Sequence, residues 1–284
     1  MTEPRTEAVD MLLKGKVAVI TGAARGLGRE CAGRFAREGA DLLLLDIGHD
    51  IEGVGYPLGS RDQLADTARM CEEQGGSVIA AAVDVRDAVR VGEAVDEALD
   101  RFGAIDVLVN NAGIAGPSGR PVHEISEADW LLMLDTNLNG TWRMIKAVAP
   151  SMIEARSGSI INVSSTAGIV GYRNFAAYVT AKHGLVGLTK AAALDYAPFR
   201  IRVNAICPGS VRDNPLVEGR MLSEIARALD VPVDGHEEVF LRDQPTNALV
   251  ETSSVAGAAI WLAGDDSRQV TGTTVTVDGG FTSR

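Results

Sequence analysis

Short β-branched or leucine-rich runs alternate with longer segments whose apolar residues recur at three- and four-residue intervals, almost from end to end of the chain. The first pattern suits strands and the second amphipathic helices. Strands are predicted over residues 16–20, 41–46, 77–83, 105–109, 159–163, 202–206 and 273–277, and helices over 26–38, 61–74, 87–102, 127–155, 175–196 and 252–263. Residues 41–46 are nearly all leucine, which fits a strand covered on both faces of a parallel sheet better than one with a wet side. Repeated strand and helix imply right-handed crossovers and an α/β fold: a doubly wound parallel sheet with helices on both faces, in three layers.

Two stretches break the rhythm. Residues 47–60 hold four glycines and a proline. They exceed the usual strand-to-helix connection of about 2–6 residues, so they read as an inserted surface loop. Residues 211–248 mix charge, prolines and two short helical patches, and this is where a substrate lid would be inserted. Residues 1–14 lack the basic start and apolar stretch of a signal peptide and are expected to form a flexible tail. No repeat or linker divides 15–284, which reads as a single domain.

Composition removes several function classes. The 284 residues are 46% apolar and 23% charged, as in an ordinary folded protein. The net charge of −11 repels phosphate backbones and anionic headgroups, so no nucleic-acid partner is expected. No apolar run approaches the roughly 20 residues of a membrane span. Cys31, Cys71 and Cys207 are odd in number and far apart, which suggests neither a disulfide framework nor a thiolate zinc site and fits a reducing cytoplasm. His49, His123, His183 and His236 have no metal-ligand spacing, and no metal is expected.

The candidate chemistry begins at the first strand-to-helix turn. Thr21 to Gly28 carries glycines at 22, 26 and 28, where missing side chains let the backbone turn tightly and approach a pyrophosphate lying on the free amides of the helix start. Gly22, Arg25, Gly26, Leu27 and Gly28 are therefore candidate cofactor contacts, although the same turn can be purely structural. Asp46 ends the second strand 18 residues after Gly28, near the spacing of a ribose-binding carboxylate, with Ile47 next to it. A carboxylate there accepts from both ribose hydroxyls and repels a 2′-phosphate, favouring NAD over NADP; a solvated strand end is the plainer reading. Arg25 pulls the other way, because a guanidinium can neutralise that phosphate, though a solvated side chain is the simpler role for it. Tyr178 and Lys182 stand four residues apart in a helical pattern, which stacks phenol and ammonium on one face. A cation there is expected to lower the phenol's pKa from near 10 toward neutrality, where it exchanges a proton with an alcohol or carbonyl, and Lys182 can also reach a nicotinamide ribose. A surface tyrosine with a snorkelling lysine gives the same spacing.

Thr21 to Gly28, Asn110 to Gly113, Ser164-Ser165, Tyr178 to Lys182 and Pro208-Gly209 resemble, in order and spacing, the short-chain dehydrogenase/reductase family, over about residues 13–280. The resemblance implies a Rossmann-like fold with a seven-stranded parallel sheet and a catalytic tetrad of Asn137, Ser165, Tyr178 and Lys182. In it Tyr178 is the acid or base, Ser165 holds the substrate oxygen, Lys182 tunes the tyrosine and Asn137 holds a relay water. Ser165 matches the pattern better than Ser164, because it lies 13 residues before Tyr178. Asn137 alone reads as a structural helix amide. The resemblance further implies cofactor contacts at Asn110, Ala112, Gly113, Asp84 and Val85, Pro208, Gly209 and the backbone of Val211; Asp84 is equally placed to cap the following helix. Asp213 stands where the family commonly has a threonine that holds the carboxamide, and no role is expected of it.

Residues 46–50, 56–58, 64–67 and 84–87 resemble the carveol-dehydrogenase-like, mycofactocin-associated subgroup. That implies NAD held tightly beneath the inserted loop and reoxidised in place by a redox partner. The expected function is NAD-dependent interconversion of a hydrophobic secondary alcohol and a ketone. An NADP-dependent 3-oxoacyl reductase of the same fold and a non-catalytic nucleotide-binding sensor or scaffold are the alternatives. The helical patterns at 127–155 and 175–196 carry more apolar surface than one sheet face needs, and the family pairs these helices between subunits, so a homotetramer is expected.

Overall fold

The computed structural model describes residues 11–232, 235–242 and 244–283. Seven parallel strands form one sheet in the order β3-β2-β1-β4-β5-β6-β7: β1 (Val17–Thr21), β2 (Asp41–Asp46), β3 (Val78–Ala82), β4 (Val107–Asn110), β5 (Gly158–Val163), β6 (Ile201–Pro208) and β7 (Thr274–Val277). The seven-stranded Rossmann-like architecture expected from the sequence is the one observed. Strand periodicity is intact beneath the leucine run of β2: Leu42 and Leu44 pack into the core on one face, Leu43 and Leu45 into the core on the other.

Helices α1 (Gly26–Arg37), α2 (Arg61–Glu72) and α9 (Thr252–Ala263) contribute to the first core. Helices α3 (Ala88–Phe102), α5 (Gly140–Ala155) and α6 (Ala176–Tyr196) contribute to the second. Between Val211 and Val250, which bridge in parallel, the chain forms α7 (Met221–Ala228) and α8 (His236–Leu241). Among the described residues no helix is long and apolar enough to cross a membrane.

Two expectations need correction. The single helix over 127–155 is α4 (Glu127–Leu134) followed by a π-turn at Asp135–Asn139 and then α5. The wider turn sends the Asn137 side chain inward, and Gly140 packs so closely that an added Cβ would lie 2.6 Å from Val85 Cγ2. The end of the supposed tail is docked: Leu13 is 1% exposed in the first core and its N–H donates to the Glu38 carbonyl at 2.9 Å. Residues 1–10, the rest of that segment, lie outside the described residues.

Candidate active site

The connections leaving β1 and β4 run in opposite directions, so the carboxyl ends of these neighbouring strands splay apart. There the molecule opens into a cleft of about 560 Å³. Every site residue expected from the sequence lines it except Gly28 and Asn110.

The glycine loop forms one wall. Gly22 and Gly26 hold φ of +67° and +58°, the left-handed region open to glycine. A Cβ on Gly28 would lie 1.9 Å from the Gly22 carbonyl oxygen, so Gly28 serves the closure of the loop on itself and does not face the cleft. Helix α1 begins with no side-chain cap and no acidic residue, leaving its first N–H groups available to an anion. Arg25 is not solvated as expected: Nη2 donates to the Pro57 carbonyl at 2.8 Å, and Nη1 is buried without a partner among the described residues. Uncapped amides and an orphaned guanidinium N–H fit the pyrophosphate of a dinucleotide.

Asp46 is 8% exposed, which removes the solvated strand-end reading. Oδ2 accepts from the Ala24 N–H at 2.9 Å and Oδ1 from the Ile47 N–H at 2.8 Å. Burial raises its pKa, against the pull of those amides and of Arg25. The inserted loop closes around it, since a Cβ on Gly59 would come within 2.5 Å of Oδ1. Further along, the Tyr56 hydroxyl accepts from the Ala115 N–H at 2.8 Å, so the insertion ties the glycine loop, β2 and the segment after β4 together.

Asp84 and Val85 line the cleft, but the Asp84 carboxylate is held by Arg86, with Nη2 2.6 Å from Oδ2. Burial pushes that carboxyl up, and the hydrogen bonds from Arg86 outweigh it and hold the pKa below the ordinary value. The cap of α3 is Asp87, which accepts from the N–H groups of Val89 and Arg90. Asn110 is buried in the sheet and donates to Asn162 Oδ1 at 2.9 Å. The neighbour that reaches the loop is Asn111, whose Nδ2 donates to the carbonyls of Thr21 and Gly22 at 3.0 and 3.2 Å. Ala112, Gly113, Pro208, Gly209 and Val211 complete the walls.

At the foot of the cleft Ser165 stands beside Tyr178, and its Oγ accepts from the Ala167 N–H at 3.1 Å. Ser164 turns away, its hydroxyl donating to the Lys182 carbonyl at 3.1 Å. Lys182 is 5% exposed; Nζ donates to the Val163 carbonyl at 2.9 Å and lies 5.6 Å from the centroid of the Tyr178 ring. The expected lowering of the phenol's pKa is absent from this arrangement. Desolvation pushes Tyr178 up to about 12, opposed by the neighbouring Ser165 hydroxyl, and desolvation brings Lys182 down to about 8. Asn137 exchanges two hydrogen bonds with the backbone of Ile114, both 2.9 Å, so its amide fixes the segment beside Gly113.

The 211–248 segment gives the cleft a largely apolar wall of Met221, Leu222, Ile225, Leu229, Val239 and Phe240, with Arg212, Asp213 and Arg220 beside it and with Tyr172 and Phe281 stacked 6.0 Å apart. None of these apolar and aromatic residues was singled out from the sequence, because no local spacing joins residues so distant in the chain. Asp213 has a definite role: its carboxylate accepts from the N–H groups of Leu222 and Ser223, each at 2.9 Å, and from the Ser223 hydroxyl, capping α7.

The family model described as enoyl-(acyl carrier protein) reductase matches residues 22–282. A (-)-trans-carveol dehydrogenase from Rhodococcus erythropolis is 39% identical over 275 residues, 95% of this chain and 98% of that protein. The crystal structure of a carveol dehydrogenase from Mycobacterium avium in complex with NAD superposes with a TM-score of 0.89 at 36% identity, covering 96% of this chain and 99% of that one. A xylitol dehydrogenase structure with NAD+ bound gives 0.84 at 32% identity, covering 94% and 99%.

Proposed function

Because the chain belongs to the short-chain dehydrogenase/reductase family, we propose that it is an NAD-dependent oxidoreductase that interconverts a hydrophobic secondary alcohol and its ketone. The observation that carries this is the placement of Ser165 and Tyr178 in one cleft with two dissimilar halves, an anion-ready glycine loop and a largely apolar chamber. A nicotinamide dinucleotide bound against the loop supplies the hydride acceptor or donor. The start of α1 and Arg25 hold its pyrophosphate, and the buried Asp46 carboxylate takes the adenosine ribose hydroxyls and disfavours a 2′-phosphate.

The residues of this chain then handle the proton. Ser165 donates to the substrate oxygen and steadies the charge that develops there. Tyr178 accepts the hydroxyl proton as the alcohol is oxidised and returns it to the carbonyl oxygen in the reverse direction. With a phenol pKa near 12 in the free protein, proton acceptance requires Lys182 to turn from the Val163 carbonyl toward the phenol, or positive charge to arrive with the cofactor.

The pinned insertion supports NAD that stays bound and is reoxidised in place by a redox partner, as in the mycofactocin-associated subgroup. Exposed Leu131, Trp142 and Leu194 on α4, α5 and α6 support a homotetramer, and free buried cysteines suit the cytoplasm. Nicotinamide absorbance in single turnovers with a panel of terpenoid and other secondary alcohols tests the activity. NAD is expected to support turnover better than NADP, and Tyr178→Phe to abolish it. Turnover unaffected by that substitution overturns the assignment.

A further inference from the structure

The opening beside the glycine loop is bordered by three segments distant in sequence: the loop itself, the end of the insertion, and the turn that leads into α7. One carboxylate joins all three. Glu218 Oε1 accepts from Arg29 Nη1 at 2.9 Å on the first turn of α1, and Oε2 accepts from Gln63 Nε2 on the first turn of α2. Gln63 is already committed to the insertion, because its Oε1 accepts from the Ser60 N–H at 2.9 Å while its own N–H donates to Ser60 Oγ. Glu218 sits at φ +51°, a conformation that costs a non-glycine residue free energy and persists where surrounding contacts hold it.

The geometry points to Glu218 as a latch that sets how fast a dinucleotide enters and leaves. The turn carrying it is closed by reciprocal backbone bonds between Asn214 and Gly219, so it moves as a unit. Gly219 rests against the glycine loop, a Cβ built on it lying 3.6 Å from Gly26 Cα, and Gly219 and Arg220 share the cleft with Gly22, Arg25 and Gly26. Lifting this turn off Gly26 separates Glu218 from Arg29, whose side chain is only 14% exposed and would be left with a buried charge. Both partners of the latch carboxylate are residues of this chain, and the bonds need no ligand atom. Loss of the latch therefore acts on free and bound protein alike and speeds entry and exit together, with less effect on affinity.

This inference rests on the dinucleotide reading of the cleft, and the experiment separates the two. Stopped-flow binding and displacement of NADH are measured on the full-length protein and on Glu218→Gln, in which an amide faces the Gln63 donor. Both rates are expected to rise about tenfold or more, the weight of a lost charge-assisted hydrogen bond, with Kd changing by a smaller factor. Gln63→Ala, which removes one arm only, gives a smaller rise in both rates and serves if the first variant does not fold. Asp66→Asn, in an exposed ion pair with Arg69 on α2, leaves them unchanged. Unaltered rates in a folded latch variant, or a weaker Kd with no faster entry, overturn the latch alone. Absence of NADH binding by wild-type protein stripped of any co-purified nucleotide overturns the dinucleotide reading and the latch with it.

Discussion

Lys182 gives its ammonium to the carbonyl of Val163 at 2.9 Å, not to the hydroxyl of Tyr178 four residues earlier. Helical spacing brings the two side chains to one face, yet the cation lies over the ring, 5.6 Å from its centroid. With the phenol set among the walls of the cleft beside Ser165, desolvation decides its titration. The free protein should therefore hold Tyr178 protonated up to about pH 10, its pKa being pushed to about 12. Ultraviolet phenolate titrations of wild type and Tyr178→Phe should superpose below that pH; a wild-type phenolate appearing near neutrality contradicts this.

Lys182 carries a stability signature of its own. Its pKa is about 8 in the fold against an ordinary 10.5, so between these values the unfolded chain binds a proton that the folded chain does not. Stability therefore rises with pH across that window. The cost of burying the ammonium is present in full below about pH 8 and relieved by about 10.5, amounting to about 3 kcal/mol. Urea unfolding should show the stability of Lys182→Met relative to wild type falling by up to this amount between pH 7 and 10.5. A difference independent of pH contradicts the assignment.

Gly28→Ala places a methyl group 1.9 Å from the Gly22 carbonyl oxygen and 2.7 Å from Asn111 Nδ2. Neither the loop backbone nor the asparagine that clamps it can yield cheaply, so unfolding free energy should drop by about 3 kcal/mol or more, with dinucleotide affinity lost at the same time. Denaturant titration and calorimetry measure both. A variant with wild-type stability argues against the tight closure.

In Asp46→Asn one of the two backbone N–H groups loses its acceptor, because the amide nitrogen cannot accept. A stability loss of about 1–3 kcal/mol is expected. Removing the negative charge should also narrow the preference for NAD over NADP by about tenfold or more in kcat/KM, as expected for an interaction of about a pKa unit or greater. An unchanged ratio shows that the carboxylate does not read the ribose.

Asp213→Ala uncaps α7 while leaving the glycine loop intact. About 1–2 kcal/mol of local stability should be lost. Hydrogen exchange across residues 221–228 should speed up and the KM for the alcohol should rise, while NADH affinity stays near wild type. Weakened NADH binding with a steady KM would place Asp213 in the cofactor site instead.

Much of the fold was legible because its signals are local. Leucine or β-branched runs followed by helical periodicity mark each β–α unit, and a parallel sheet requires only that these units repeat. The glycine loop, Asp46 and the Tyr178–Lys182 pair were legible for the same reason, since each is a short spacing imposed by backbone geometry. The π-turn escaped notice because Glu127–Leu134 and Gly140–Ala155 keep apolar residues in step, and only the bonds from Asn137 to Ile114 reveal the wider turn between them. Asn110 and Asn111 are adjacent in one motif, and strand alternation alone decides that the first is buried in the sheet while the second grips the loop.

The sequence by itself determined the order of elements, the loop able to accept an anion, and the identities of the phenol and amine. Tertiary structure decided their state. Desolvation sets Tyr178 and Lys182 far from the values their spacing implies, because burial acts through every neighbour at once and not only through the residue four positions away. It also decided the company of Arg25, Asp213 and Glu218, whose partners arrive from segments up to 189 residues distant. No local period encodes such meetings; they exist only when the crossovers have brought three loops to one end of the sheet.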